Sequence, residues 1–229
     1  MNARDSESAR LLEQLRSFCF PGGEAAARSI LAVSTVETGH LQMVQGARLI
    51  PFTAEQTIEA GRTQFCWRAR LDPGKLTSVT VTDAYENSHG CVSVKLAGVI
   101  PAKTVTGPEA DRGELQRYLA SVALCPLMLL NHESLECEAV GPLRLRLWDQ
   151  KDEQHATVEV ELSEYGCPLR SKAERPRLVG RQSVLTPWIA SASEFRVCEG
   201  VCVPFRLEAA WELPEGIFAH YHSQIVSYR

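Results

Sequence analysis

From residue 64 onward, apolar and polar residues alternate. Phe65, Trp67, Ala69 and Leu71 fall on one side of an extended chain, with Gln64, Arg68 and Arg70 on the other, because successive strand side chains point to opposite faces. The alternation recurs in Leu76 to Tyr85 around Val79 and Val81, in Val92/Val94/Leu96, in Leu143/Leu145/Leu147, from Ala156 to Leu162, and from Val203 to Leu213. Turn residues such as Asp72-Pro73-Gly74 and Tyr165-Gly166-Cys167-Pro168 separate them. Short alternating runs punctuated in this way predict an antiparallel meander with one wet face and one covered face.

Elsewhere the period is helical. Leu11, Leu12 and Leu15 share a face over Ser6 to Leu15, Gly22-Gly23 breaks the run, and a second helix is expected over Glu24 to Val33. A third is expected over about 112–124, where Leu115, Tyr118, Leu119 and Val122 have helical spacing and Asp111 and Glu114 suit an N-cap and its capping-box partner. The fold class is therefore α+β, mainly β, in one domain over 1–229. Residues 1–35 carry two N-terminal helices, and 39–229 form a curved antiparallel sheet around the central helix. Such a half-open barrel needs its concave side filled by helix or ligand.

The 229 residues suffice for one large core without disulfides or a metal. An apolar share of 45% with 23% charge excludes disorder and coiled coil. No apolar run reaches the roughly 18 residues that span a bilayer. The start of the sequence, MNARDSESARLLEQL, is charged rather than apolar, so a cytoplasmic location is expected. A net charge of -4, with no basic cluster, gives no footprint for nucleic acid. The eight cysteines form no CxxC pair or Cys/His cluster, so no metal site is expected. Cys198 and Cys202 flank a turn at Glu199-Gly200 and are either two reduced thiols or a redox pair. No GxSxG elbow, P-loop, GxGxxG or HExxH occurs, and no cofactor is expected.

Candidate chemistry centres on Asp83 and Tyr85, which share the inward side of Val79 and Val81. Asp83 is either a general base or acid, with Tyr85 orienting a substrate oxygen, or a cap for the turn Glu86 to Gly90. His89 in that turn is a proton shuttle or a solvated side chain. Arg117, off the apolar helix face, points to solvent or to a polar cavity, where it would bind oxygen. Arg175 belongs to a charged stretch, Lys172 to Arg177, that is either a solvated edge or an anchor for an anionic ligand group. Of the four tryptophans, Trp67, Trp188 and Trp211 are candidate ligand contacts as well as core residues, while Trp148 is read as core.

Segments along nearly the whole chain, in order, resemble a bacterial family of unknown function catalogued as DUF6544 or DUF6920. They include Phe65-Cys66-Trp67-Arg68-Ala69, Asp83-Ala84-Tyr85, Gly113-Glu114-Leu115 leading into Arg117-Tyr118-Leu119-Ala120, Arg175-Pro176-Arg177, Thr186-Pro187-Trp188 and Trp211 with Leu213. The resemblance implies a curved antiparallel sheet similar to lipoprotein-carrier half-barrels, and no established activity. It also shows departures: Ser121 stands where the family pattern has Glu, and Leu124 and Cys137 stand where it has Trp. Smaller side chains there would open space on the concave side. Tyr118, Ser121, Leu124 and Cys137 thus join the candidate ligand contacts.

The leading expectation is a protein that encloses a hydrophobic small molecule and acts as a cofactor-independent isomerase, cyclase or dehydratase through Asp83, Tyr85 and Arg117. A non-catalytic lipid or metabolite carrier is the alternative, and a structural or interaction module is the third.

Overall fold

The protein was analysed as a computed structural model that describes residues 3–72, 74, 78–152, 156–180 and 182–229. Pro73 of the expected turn and Leu76, the expected start of a strand, lie outside the described residues. Helix α1 spans Ala3–Cys19. Its Leu11, Leu15 and Cys19 recur every fourth residue and are fully buried, giving one apolar stripe against the sheet. The expected second helix is absent: a single 3-10 turn, Ala27–Ser29, is followed by strand β1, Ala32–Leu41. Val33, Thr35 and Glu37 of β1 all point inward, so two of its three buried positions are polar and the period of two is hidden from a hydrophobic count.

Five strands follow: β2 Ile50–Glu59, β3 Phe65–Leu71, β4 Val79–Glu86, β5 His89–Leu96 and β6 Ile100–Val105. Next come helix α2, Pro108–Ala120, a 3-10 turn Ser121–Ala123 and the short helix α3, Met128–Asn131. The second run is β7 Leu135–Gly141, β8 Arg144–Asp149, β9 Thr157–Leu162, β10 Pro168–Val179, β11 Gln182–Cys198, β12 Val201–Leu213 and β13 Gly216–Tyr228. These strands form one antiparallel sheet in the order β6-β5-β4-β3-β2-β1-β13-β12-β11-β10-β9-β8-β7. Two meanders are thus sewn together by β1 and β13, and the chain passes between them from the edge strand β6 to the opposite edge strand β7. That connection carries α2, which packs against β4 and β5 on one arm and β9 and β10 on the other. The covered face is concave because both arms wrap the same helix.

Helix α2 begins earlier than the apolar spacing suggests, with Pro108 in its first turn and Gly107 as N-cap, the position where a missing N–H and a fixed φ are harmless. Asp111 is therefore inside the helix and caps nothing. Its Oδ1 instead accepts the backbone N–H of Gly90 at 2.7 Å, joining α2 to the β4–β5 turn. Glu114 likewise is no capping-box partner and is buried. At the Cys198–Val201 hairpin, the turn residues Glu199 and Gly200 both have positive φ (50° and 83°), as the shortest hairpin loops require.

Gly166 is a position where only glycine fits. Its φ is +82°, and a Cβ there would stand 2.1 Å from the carbonyl oxygen of Gln14 in α1. Gly166→Ala should detach α1 from the β9–β10 corner and lower stability by roughly 1–3 kcal/mol. Loss of amide-exchange protection confined to α1 would verify it, and full protection would contradict it.

Candidate functional site

The concave side is not filled. Beside α2 lies a half-open cavity of about 470 Å³, within the range of pockets that enclose small ligands. Its wall draws on both arms of the sheet: Trp67 from β3, Val81 and Asp83 from β4, Trp188 and Ala192 from β11, Trp211 from β12. Arg117, Ser121 and Leu124 come from α2 and the turn after it. Met43 and Leu178, which also line it, are 64% and 55% exposed, so the cavity opens between the loop after β1 that carries Met43 and the end of β10 that carries Leu178.

Arg117 points inward. Its Nη1 donates to Asp83 Oδ2, and its guanidinium lies 4.8 Å from the Trp67 ring centroid and 5.4 Å from that of Phe65. The register explains the convergence, since Trp67 is paired with Asp83 and Phe65 with Tyr85 across β3 and β4. Asp83 is therefore committed to an ion pair across the concave face and not to the β4–β5 turn, while its Oδ1 is buried without a partner. The solvated-edge reading of Lys172 to Arg177 is corrected at Arg175. It sits on β10 with its guanidinium 4.6 Å from the Trp188 ring, its Nη2 donating to Gly113 O at 2.7 Å, and Glu114 Oε1 at 3.6 Å. Helix α2 is thus held to β4 through Arg117 and to β10 through Arg175.

Burial decides the electrostatics. Glu114, almost entirely buried, is pushed up to about 7, first by desolvation and then by the charge of Asp83, against the pull of Arg175 and Arg117. The same desolvation lowers Arg175 from its ordinary value. Both partners shift toward neutrality, so their attraction does not repay the loss of water. For Arg117, burial opposes the charge but the carboxylates around it, Asp83 first, outweigh that, and its pKa is raised. His220, stacked on Trp211 at 5.6 Å, is driven down to about 3 by burial and then by Arg175 and Arg117, so it is a neutral imidazole.

The proton on Glu114 gives a stability test. A carboxyl raised in the folded state stabilises at pH below about 4.5, and that contribution is lost as pH rises through about 7. His220 acts in the opposite sense: its contribution is present above the ordinary histidine value and fades as pH falls toward 3. Glu114→Gln isolates the first group. Its melting temperature should match the parent at pH 4 and exceed it by several degrees at pH 8; equal melting at both pH values would rule the assignment out.

Other sequence candidates are placed as follows. Ser121, Leu124, Trp188 and Trp211 line the cavity with Trp67. Tyr85, expected beside Asp83, is buried and lines a smaller pocket of about 210 Å³ at the β2–β3 and β4–β5 turns; desolvation pushes its hydroxyl up to about 12. His89 is corrected to the solvated reading, with its side chain 81% exposed and 3.9 Å from Asp111. Tyr118 faces the core, where its hydroxyl donates to Glu59 O at 2.9 Å, because the apolar spacing that made it visible is the spacing of a core face. Cys137 is half-buried on β7, packed on the core and outside the cavity wall, so of Leu124 and Cys137 only Leu124 borders the open space. Cys198 and Cys202 are free thiols.

Sequence reading missed Glu37, Glu114, His220 and Tyr221. Glu37 is fully buried on β1, accepting the Trp67 indole N–H and the Tyr221 hydroxyl, the latter at 2.6 Å. The one available signal was its place two residues beyond Thr35 and four beyond Val33, in a period of two.

Solved structures share this architecture. A LolA superfamily protein from Nitrosomonas europaea superposes with a TM-score of 0.54 at 10% identity, over 97% of this chain and 92% of its own. A domain from Vibrio parahaemolyticus named for outer membrane lipoprotein sorting superposes at 0.51 and 10% identity, over 98% and 92%. At such identity the likeness is one of fold. No curated protein matches the sequence. The model of DUF6920, a family of unknown function, matches residues 13–229, and the chain belongs to that family.

Proposed function

We propose that the protein binds a hydrophobic small molecule in the concave cavity and carries it unchanged. The observation behind this reading is the half-open cavity itself, walled mainly by apolar side chains in a sheet whose remaining concave surface is packed core. An apolar cavity of this size gains free energy when filled. The two structural relatives, one of them named for lipoprotein sorting, support a carrier over an enzyme.

The test uses N-phenyl-1-naphthylamine, a neutral apolar fluorophore. It should bind saturably at one molecule per chain, and Ala192→Trp, which places an indole on the cavity wall, should weaken binding at least tenfold while circular dichroism stays that of the parent. No saturable binding, or unchanged affinity in the variant, rejects the reading.

Catalysis by a cofactor-independent isomerase, cyclase or dehydratase is the second reading. It rests on the Asp83 carboxylate, which lines the cavity with Oδ1 unpartnered; Tyr85 lies outside that wall, so Arg117 alone of the three proposed catalytic groups accompanies it. Mass-spectrometric recovery of an isomerised or dehydrated ligand would favour this reading over the carrier. A cytoplasmic location belongs to the proposal too.

A further inference from the structure

Two buried cations stand on the wall of a mainly apolar cavity, whose other charged lining residues are Asp83, the exposed Arg170 and Glu208, itself bonded by Arg206, and the bracing of α2 leaves much of the bonding capacity of Arg117 and Arg175 unused. A guanidinium has five N–H donors in a planar fork. Among the described residues, Arg117 is bonded through Nη1 to Asp83, and Arg175 through Nη2 to Gly113 O. The Nε of Arg175 is buried with no partner. Each fork lies against one indole, Trp67 for Arg117 and Trp188 for Arg175. Stacking fixes the plane of the cation and leaves its edges for in-plane hydrogen bonds, the arrangement that suits planar oxyanions.

The charges around the pair point the same way. Asp83 is spent on Arg117. Glu114, the carboxyl nearest Arg175, is behind the wall and resists ionisation. Glu37 is occupied by Trp67 and Tyr221, and His220 is neutral. Arg175 therefore carries a buried charge without a fully ionised partner, a costly state that an incoming anion relieves.

We propose that the ligand is an amphiphile with an anionic oxyacid head group, a carboxylate or a phosphate monoester, held by the guanidinium N–H groups of Arg117 and Arg175 while its apolar part fills the cavity. This deepens the carrier reading and rests on it. The indole N–H of Trp188, buried without a partner beside Arg175, is a further donor that a small side-chain shift brings to the same head group.

The experiment compares four molecules with one dodecyl chain as competitors for bound N-phenyl-1-naphthylamine on the unaltered protein at pH 6, where Glu114 keeps its proton: dodecanoate, dodecyl phosphate, dodecanol and dodecylammonium. Dodecanoate or dodecyl phosphate should displace the probe at a concentration at least tenfold lower than dodecanol, with dodecylammonium weakest, and the better of the two anions identifies the head group. In Arg175→Gln, if folded by circular dichroism, the preference of anion over alcohol should fall toward one. Probe binding with dodecanol as effective as both anions would overturn the head-group assignment and leave the hydrophobic carrier standing. Absence of probe binding would remove the carrier reading and this inference with it. Should Arg175→Gln fail to fold, the four-ligand series on the parent still decides.

Discussion

Arg117→Met should lower the unfolding free energy by about 3–5 kcal/mol, the usual loss when one partner of a buried ion pair is removed and the other is left uncompensated. In a protein of this length that corresponds to roughly 10 °C or more in melting temperature. The loss has two parts. Asp83, whose carboxylate is mostly screened from water, is left without its cation, and Trp67 and Phe65 lose the guanidinium that lies over their rings. The second part comes only from Arg117, so the two separate in a double-mutant cycle. Asp83→Leu combined with Arg117→Met should be less destabilised than Arg117→Met alone, because no buried charge is then left unpaired. A change of under 1 kcal/mol in Arg117→Met, measured by urea denaturation, would mean that the pair is solvated and that α2 is held by its apolar face alone.

The second large effect is expected where α2 meets the β4–β5 turn. A Cβ on Gly90 would lie 2.2 Å from Ala110 O, 2.6 Å from Ala110 C and 2.9 Å from Asp111 Cα. All three are backbone atoms of the helix, so no side-chain rotation relieves the contact, and either β5 or α2 must move as a body. Movement lengthens the hydrogen bond from Gly90 N–H to Asp111 and draws Arg117, two turns on, away from Asp83. Gly90→Ala should therefore cost about 3 kcal/mol or more, at or beyond the upper end for overpacking, and weaken probe binding. Gly22→Ala, at a position with nothing within 4 Å, is the control and should change stability by no more than about 0.5 kcal/mol. Equal behaviour of the two variants would show that the helix does not approach the turn so closely.

The strands legible in the sequence are those whose covered face is filled by apolar side chains. In β3, Phe65, Trp67, Ala69 and Leu71 are all buried, and in β9 so are Val158, Val160 and Leu162; each such position must exclude water, so the period of two survives in composition. The strands that hold polar groups inside lack that mark. On β10 the inward positions include Ser171 and Arg175, on β13 His220 and Tyr221, on β1 Thr35 and Glu37, and none of these residue types distinguishes a covered face from a wet one. Glu24 to Val33 failed in the opposite way: helix-forming residues occur there, but the chain must straighten to pair Ala32 with Glu59, and sheet pairing outweighs local propensity.

By itself the sequence determined the antiparallel meander, the amphipathic α1, the existence of α2, and the family to which the chain belongs, because local periodicity and ordered motifs along one chain carry that information. Period two already turned Asp83 inward, but only the tertiary structure decided its partner and that Glu114, Arg117 and Arg175 face inward with it. Asp83, Glu114, Arg117 and Arg175 come from three separate elements, β4, α2 and β10, and become neighbours only when the connection from β6 to β7 lays α2 across both arms of the sheet. A charged residue reads as solvated until its partner is known, and the partner here lies 34 residues away for Asp83 and Arg117, and 61 for Glu114 and Arg175.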